Sequence, residues 1–180
     1  MFLNPLSSGL RKLRQNEKGI AAIEFALILP AFALLFFAAV EVSFLMLVDR
    51  KVTHTASSLG DLVARGTVMT ETEVNDIFSA SVALFQPYDG NEAQMRVTSI
   101  EREDGQNKVV WSRAQNMTAY SEGQTVTVPN GLLQNGESVV LAEVNYSYNS
   151  TLGYFLPSAK TLNEKFYLRP RRVDVVDIMD

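Results

Sequence analysis

A chain of 180 residues is long enough for one compact domain, or for a smaller domain plus one dedicated segment. Its composition is ordinary for a folded protein at 47% hydrophobic and 20% charged, but the lack of cysteine excludes a disulfide framework, a thiolate zinc site and a cysteine nucleophile, and a single histidine leaves little for a histidine metal centre. A net charge of -4 and a pI near 5.1 argue against a nucleic-acid binder, which needs a basic surface to displace counterions.

Residues 1–19 carry Arg11, Lys12, Arg14 and Lys18 against Glu17 alone. An apolar run, Gly19 to Val48, follows at once, with no charge between Phe25 and Val40. A helix of that length, at ~1.5 Å per residue, crosses a hydrocarbon core of ~30 Å with a turn or two to spare. Lys and Arg beside a span hold that end in the cytoplasm, so the remainder is expected on the far side of the membrane. Two glutamates are odd for a plain anchor. Glu24 lies near the start of the run and Glu41 near its end, and a carboxylate in lipid costs a few kcal/mol unless it is paired or near an interface. Glu41 is far enough along to reach the distal headgroups; Glu24 needs a partner. Pro30, in mid-segment, removes one helix hydrogen bond and tends to kink the span.

Lys18-Gly19 followed by Ile20-Ala21-Ala22-Ile23-Glu24-Phe25 resembles the processing site of type IV prepilins and pseudopilins: a basic leader ending in Gly, four small or apolar residues, then Glu and an aromatic. The longer stretch through Leu29-Pro30 to Glu41 is similar to the TadE/TadF-like family of tight-adherence (Flp) pilus assembly proteins. The likeness extends through Ala56 to Arg65, and more loosely to Val144–Tyr148 and Pro170-Arg171. The resemblance implies a pseudopilin or minor pilin without enzymatic activity or cofactor. A prepilin peptidase would cut between Gly19 and Ile20, leaving Glu24 as the fifth mature residue beside Phe25. It also implies that Glu24 pairs with the new α-amino group of a neighbouring subunit, and that Glu24 and Glu41 serve subunit assembly. The implied partners are the peptidase, other Flp/Tad pilins and pseudopilins, and the inner-membrane assembly platform. The implied location is the bacterial inner membrane, single-pass, with a periplasmic head that reaches the pilus or cell surface after assembly.

Beyond the span, Val48, Val52, Ala56, Leu59, Leu62 and Val63 recur at helical spacing, so the helix is expected to continue to about Arg65, with Gly66 as its stop. Ala56, Ser57, Ser58 and Gly60 permit close approach, either by the chain's own head, the preferred reading, or by another subunit. A second helix is expected from Thr70 or Thr72 to about Gln86, with a capping box at Thr70–Glu73 and a buried face of Val74, Ile77, Phe78 and Phe85. Strands follow at Gln94–Glu101, Lys108–Arg113, Thr125–Val128, Ser138–Tyr148 and Leu162–Arg169. They are punctuated by Asp104-Gly105, Asn130-Gly131 and Asn135-Gly136, which suit tight antiparallel connections. Val97, Trp111, Val140, Val144 and Phe166 are the expected core. In the loop from Asn149 to Ser158, Tyr154, Phe155 and Leu156 are taken as core plugs rather than an exposed contact. The expected fold class is α+β. A leader (1–19), a transmembrane helix (20–48) and its extension (49–68) precede a pilin-like head (69–180) built of a short helix and a small antiparallel sheet, and residues 49–180 together are mildly acidic.

Other groups read as ordinary surface. His54 has no nucleophile or orienting acid beside it in sequence, and Glu101–Asp104 and the Asp174, Asp177, Asp180 series lack calcium-loop spacing. Arg169, Arg171 and Arg172 form a basic knot that suits either an acidic partner or a plain strand end. Two rival organisations remain: a signal peptide cleaved after Ala31-Phe32-Ala33, and an uncleaved single-span anchor presenting a protein-binding head.

Overall fold

The structure, a computed structural model, describes residues 19–150, 153–156 and 159–179. The basic part of the leader, through Lys18, lies outside the described residues. The fold class is α+β, with a long N-terminal apolar helix, a second short helix and an antiparallel four-stranded sheet.

Helix α1, Ile20–Ala64, is unbroken and contains Pro30. Its distal part buries the stripe Val48, Val52, Ala56, Leu59 and Val63 against the sheet, mainly on the strands β4 and β5 defined below. The four- and three-residue steps between these positions keep them on one helix face. Leu62, expected on the stripe, is exposed; Val63 is the residue turned inward. Gly60 lies in the same interface, where a Cβ would collide with Leu168 and stand 3.1 Å from the Ala142 Cβ. The small residues at Ala56 and Gly60 therefore serve close approach of the chain's own sheet, as the preferred reading held.

After Gly66, strand β1 (Val68–Thr70) leads into helix α2 (Glu71–Ala83). Its capping box is complete: the Glu73 N–H donates to the Thr70 hydroxyl at 3.2 Å and the Thr70 N–H to the Glu73 carboxylate at 2.8 Å. Val74, Phe78 and, just beyond the helix, Phe85 are buried, and Ile77 is partly so. The Phe85 ring stacks on Tyr146 with centroids 4.9 Å apart.

The sheet comprises β2 (Gln94–Glu103), β3 (Gln106–Gln115), β4 (Ser138–Tyr148) and β5 (Lys160–Leu168), in the order β3-β2-β4-β5, all neighbours antiparallel. Strand β4 is central. Val140, Ala142, Val144, Tyr146 and Tyr148 face the helices, while Val139 and Leu141 join a smaller cluster on the opposite face. That face is covered by the irregular segment between β3 and β4, through Val126, Val128 and Leu133. The expected strand Thr125–Val128 does not form. Only Thr125 bridges, to Lys108, and the segment gives its alternate apolar side chains to the second cluster instead of a ladder.

At Ser99/Ile100 the β2–β3 register shifts, with Ser99 opposite Trp111 and Ile100 opposite Val109. The extra residue, Val110, places Trp111 in the helix-side core and Val109, two positions away, in the other cluster, a bulge overriding strand alternation. The β2–β3 turn uses φ values of 50° at Asp104 and 77° at Gly105, as the Asp-Gly pair implied. Val97, Trp111, Val140 and Val144 are buried as expected, and Phe166 is partly covered. A short parallel pair was not foreseen: β1 runs beside β6 (Asp177–Met179). It is held to the main sheet by the Trp111 indole N–H, which donates to the Val176 carbonyl at 2.6 Å.

Candidate functional site

The helix divides by exposure. From Ile20 to Ala39 its side chains are uncovered, Ala33 and Ala38 being only partly so, and the large ones are Ile, Leu and Phe. Residues 20–40 span about 30 Å at ~1.5 Å per residue, the thickness of a hydrocarbon core. This segment is long and apolar enough to cross a membrane. An uncovered apolar surface of that size is not stable in water, so the helix itself demands lipid or another apolar partner.

Gly19, Ile20, Glu24 and Phe25 all lie at the exposed start of this segment. Among the described residues, a Cβ at Gly19 would meet nothing within 4 Å, so they place no steric demand on that glycine. Glu24 projects from the bare helix, and among the described residues none hydrogen-bonds its carboxylate.

Glu41 is placed quite differently. It is 1% exposed although it sits on the same helix. The Ser150 hydroxyl donates to one carboxylate oxygen, and the Phe155 backbone N–H donates to the other at 2.8 Å. The loop after β4 thus folds over the helix and satisfies the carboxylate, which removes much of the cost of burying it. Holding the loop there turns its side chains outward. Tyr154 is 81% exposed and Phe155 43%, and Leu156 is half-buried, so the expected core plugs Tyr154 and Phe155 are surface residues. The physical reason is that the loop makes its interior contact with the Ser150 hydroxyl and the Phe155 backbone N–H, not with its aromatic rings.

A second buried carboxylate, Glu143 on β4, is not among the candidates read from the sequence. It accepts from Arg96 Nε at 2.7 Å and from Lys165 Nζ at 2.7 Å, and the Arg96 guanidinium lies over the Tyr120 ring, 3.6 Å from its centroid. The three charges occupy adjacent strands at paired register, Arg96 and Lys165 each opposite Glu143. Glu143 holds the Lys165 ammonium above its ordinary pKa. Alternation alone marks Glu143 as outward-facing, but its pairing depended on a strand order invisible in sequence.

The remaining candidates among the described residues settle as surface chemistry, and Asp180 lies outside those residues. His54 is exposed. Two arginines of the basic knot are internally engaged, and Arg172 is exposed: Arg169 pairs with Glu137 at 2.9 Å, and Arg171 pairs with Asp61 on α1 while its backbone N–H donates to the Ala64 carbonyl at 2.9 Å. Among the described residues, no three His, Asp or Glu side chains gather as a metal site would require.

A single uncovered apolar helix running without a break into an α+β head defines a membrane-anchored protein whose helix is both anchor and stalk. Residues 19–59 match the family described as TadE-like protein, from the glycine before the helix through Glu24, Pro30 and Glu41 to the buried stripe at Leu59. No match was found among curated proteins or among solved structures.

Proposed function

We propose that this protein is a minor pilin or pseudopilin that takes part in assembly of a tight-adherence (Flp) type IV pilus. The TadE-like match brings a role in Tad pilus assembly, and that family is generally non-enzymatic. The observation that carries the finer reading is the contrast between the two helix carboxylates. Glu41 is satisfied within the chain, whereas Glu24 stands on an uncovered apolar helix with no partner among the described residues. A carboxylate so placed in lipid is costly, and a cation brought from elsewhere stabilises it.

Prepilin peptidase supplies one in this reading. Cleavage between Gly19 and Ile20 creates an α-ammonium at Ile20, and the Glu24 carboxylate of an adjoining copy, or of another Flp pilin or pseudopilin, pairs with it in a low-dielectric setting. Losing either member leaves an uncompensated charge, so the pair fixes register between helices. Phe25 and the neighbouring apolar side chains supply the surface along which the helices pack. The basic leader, residues 1–19, stays in the cytoplasm, residues 20–48 form the span and its exit, 49–68 the extension, and the head, 69–180, is periplasmic. Glu41 contributes to assembly by fixing the head on the helix rather than by pairing across subunits. The inner-membrane assembly platform then draws the subunit out of the bilayer.

The test is Glu24→Ala expressed in place of the native chain. Membrane insertion and head folding are expected to be unchanged, while crosslinking between helices and pilus output are lost. Undiminished pilus output from the variant contradicts the role given to Glu24.

A further inference from the structure

The loop that grips Glu41 sits at an unusual height on the helix. The exposed side of α1 stays uncharged and mostly apolar past Glu41, with Val42, Phe44, Met46 and Leu47 around Ser43, and the first charged residue after Glu41 is Asp49. Asp49 is eight helical steps beyond Glu41, about 12 Å at ~1.5 Å per residue. The turn Gly153–Leu156, hydrogen-bonded to Glu41, is therefore level with apolar helix surface and not with the charged extension. At that level it exposes a tyrosine and a phenylalanine. Aromatic side chains at the end of a span favour the headgroup layer, where the ring is sheltered and the tyrosine hydroxyl stays wet.

Resting on the reading of α1 as a membrane anchor, we propose that the Gly153–Leu156 turn is a foot seated in the interfacial layer of the bilayer, with Tyr154 and Phe155 in contact with lipid and Glu41 as the residue that positions it. The foot gives the head a second point of contact with the membrane. A head carried on one helix alone is free to tilt and rotate; one that also rests on its foot presents a fixed face to its neighbours. Leaving the bilayer then requires withdrawing the two aromatics as well as the helix.

The chain has no cysteine, so a single introduced thiol takes a nitroxide label at one known place. Full-length Leu34→Cys, Tyr154→Cys and Glu103→Cys proteins are labelled and reconstituted in vesicles of phosphatidylcholine and phosphatidylglycerol. Collision of the label with oxygen, which concentrates in lipid, is compared with collision with a water-soluble nickel chelate. Glu103 is the aqueous reference, because β2 runs antiparallel to β4 and ends at the opposite pole of the sheet from Ser150. Leu34 is the lipid reference. The Tyr154 label is expected to show several-fold lower chelate access than the Glu103 label, and to regain it when Glu41→Ala is added. A Tyr154 label as open to the chelate as Glu103, with Leu34 still reading as lipid, overturns the foot and leaves the anchor standing. Shielding of Tyr154 from both reagents means a protein partner covers it, and also overturns the foot. A Leu34 label that reads as water overturns the anchor reading and the foot together.

Discussion

The Glu41 carboxylate on α1 accepts the backbone N–H of Phe155 at 2.8 Å, joining helix and loop across 114 residues of sequence. With the Ser150 hydroxyl on the other oxygen, this is a polar tie between helix and loop, standing beside the apolar packing of Leu45 and Val48 on the head.

Removing that acceptor frees a backbone donor and a hydroxyl at once. Glu41→Ala is expected to destabilise the head by about 2 kcal/mol, the cost of hydrogen bonds to a charged acceptor, and Glu41→Gln by about half as much because one oxygen still accepts. Ser150→Ala is expected to add little in the Glu41→Ala background, since both remove the same contact. Denaturant unfolding of the detergent-solubilised protein measures all three, with proteolysis near Tyr154 as a local readout. Equal stability of Glu41→Ala and the native chain would contradict the tie.

Glu143 occupies a buried position between two cations on neighbouring strands, and its loss strands Arg96, whose side chain is 12% exposed. Glu143→Ala is expected to cost about 3 kcal/mol, at the lower end for a broken buried pair because Arg96 keeps its bond to the Thr118 carbonyl and its place over Tyr120. The double variant Arg96→Ala/Glu143→Ala is expected to lose less than the sum of the singles. Additive losses in the double-mutant cycle would show that the ion pair carries no coupling.

Acid is expected to weaken the head. The Arg113 guanidinium holds Glu71 below the ordinary carboxylate value of 4.5, and the Gln134 backbone N–H, with Arg169, does the same for Glu137. Folded pKa values below the unfolded ones mean that these groups stabilise the head above about pH 4.5, and that the contribution is lost as pH falls through the depressed values. Unfolding midpoints between pH 7 and pH 3 should decline, and Glu71→Gln should flatten part of the decline. Both carboxylates are partly solvated, so the effect is modest and shrinks in high salt.

Helical periodicity made α1 and its stop legible, and the Thr70–Glu73 box marked the start of α2, because both signals are local; α2 ends at Ala83, short of the expected Gln86. Central strand β4 was legible to the residue, since a strand buried on both faces reads as a nearly continuous apolar run bounded by turns. Thr125–Val128 misled for the same reason in reverse: alternating Val and Thr satisfy strand spacing, but no neighbour offers a full ladder, and the segment covers the sheet instead. The β1–β6 pair is short and joins distant parts of the chain, so nothing local announces it. At the site, Glu24 and Glu41 were visible as charges in an apolar run. That one would be capped by the loop at Ser150 and Phe155 was not, because the Phe155 bond is to backbone, and a backbone N–H has no sequence signature.

The most direct measurement on the central claim is intact-mass analysis of the native polypeptide from cells with and without active prepilin peptidase. The account predicts a chain beginning at Ile20 when the peptidase is active and an uncut leader when it is not. A polypeptide that keeps Gly19 and the residues before it in both strains, while pili still form, would contradict it, and a chain beginning at Leu34 would show a secretory signal instead.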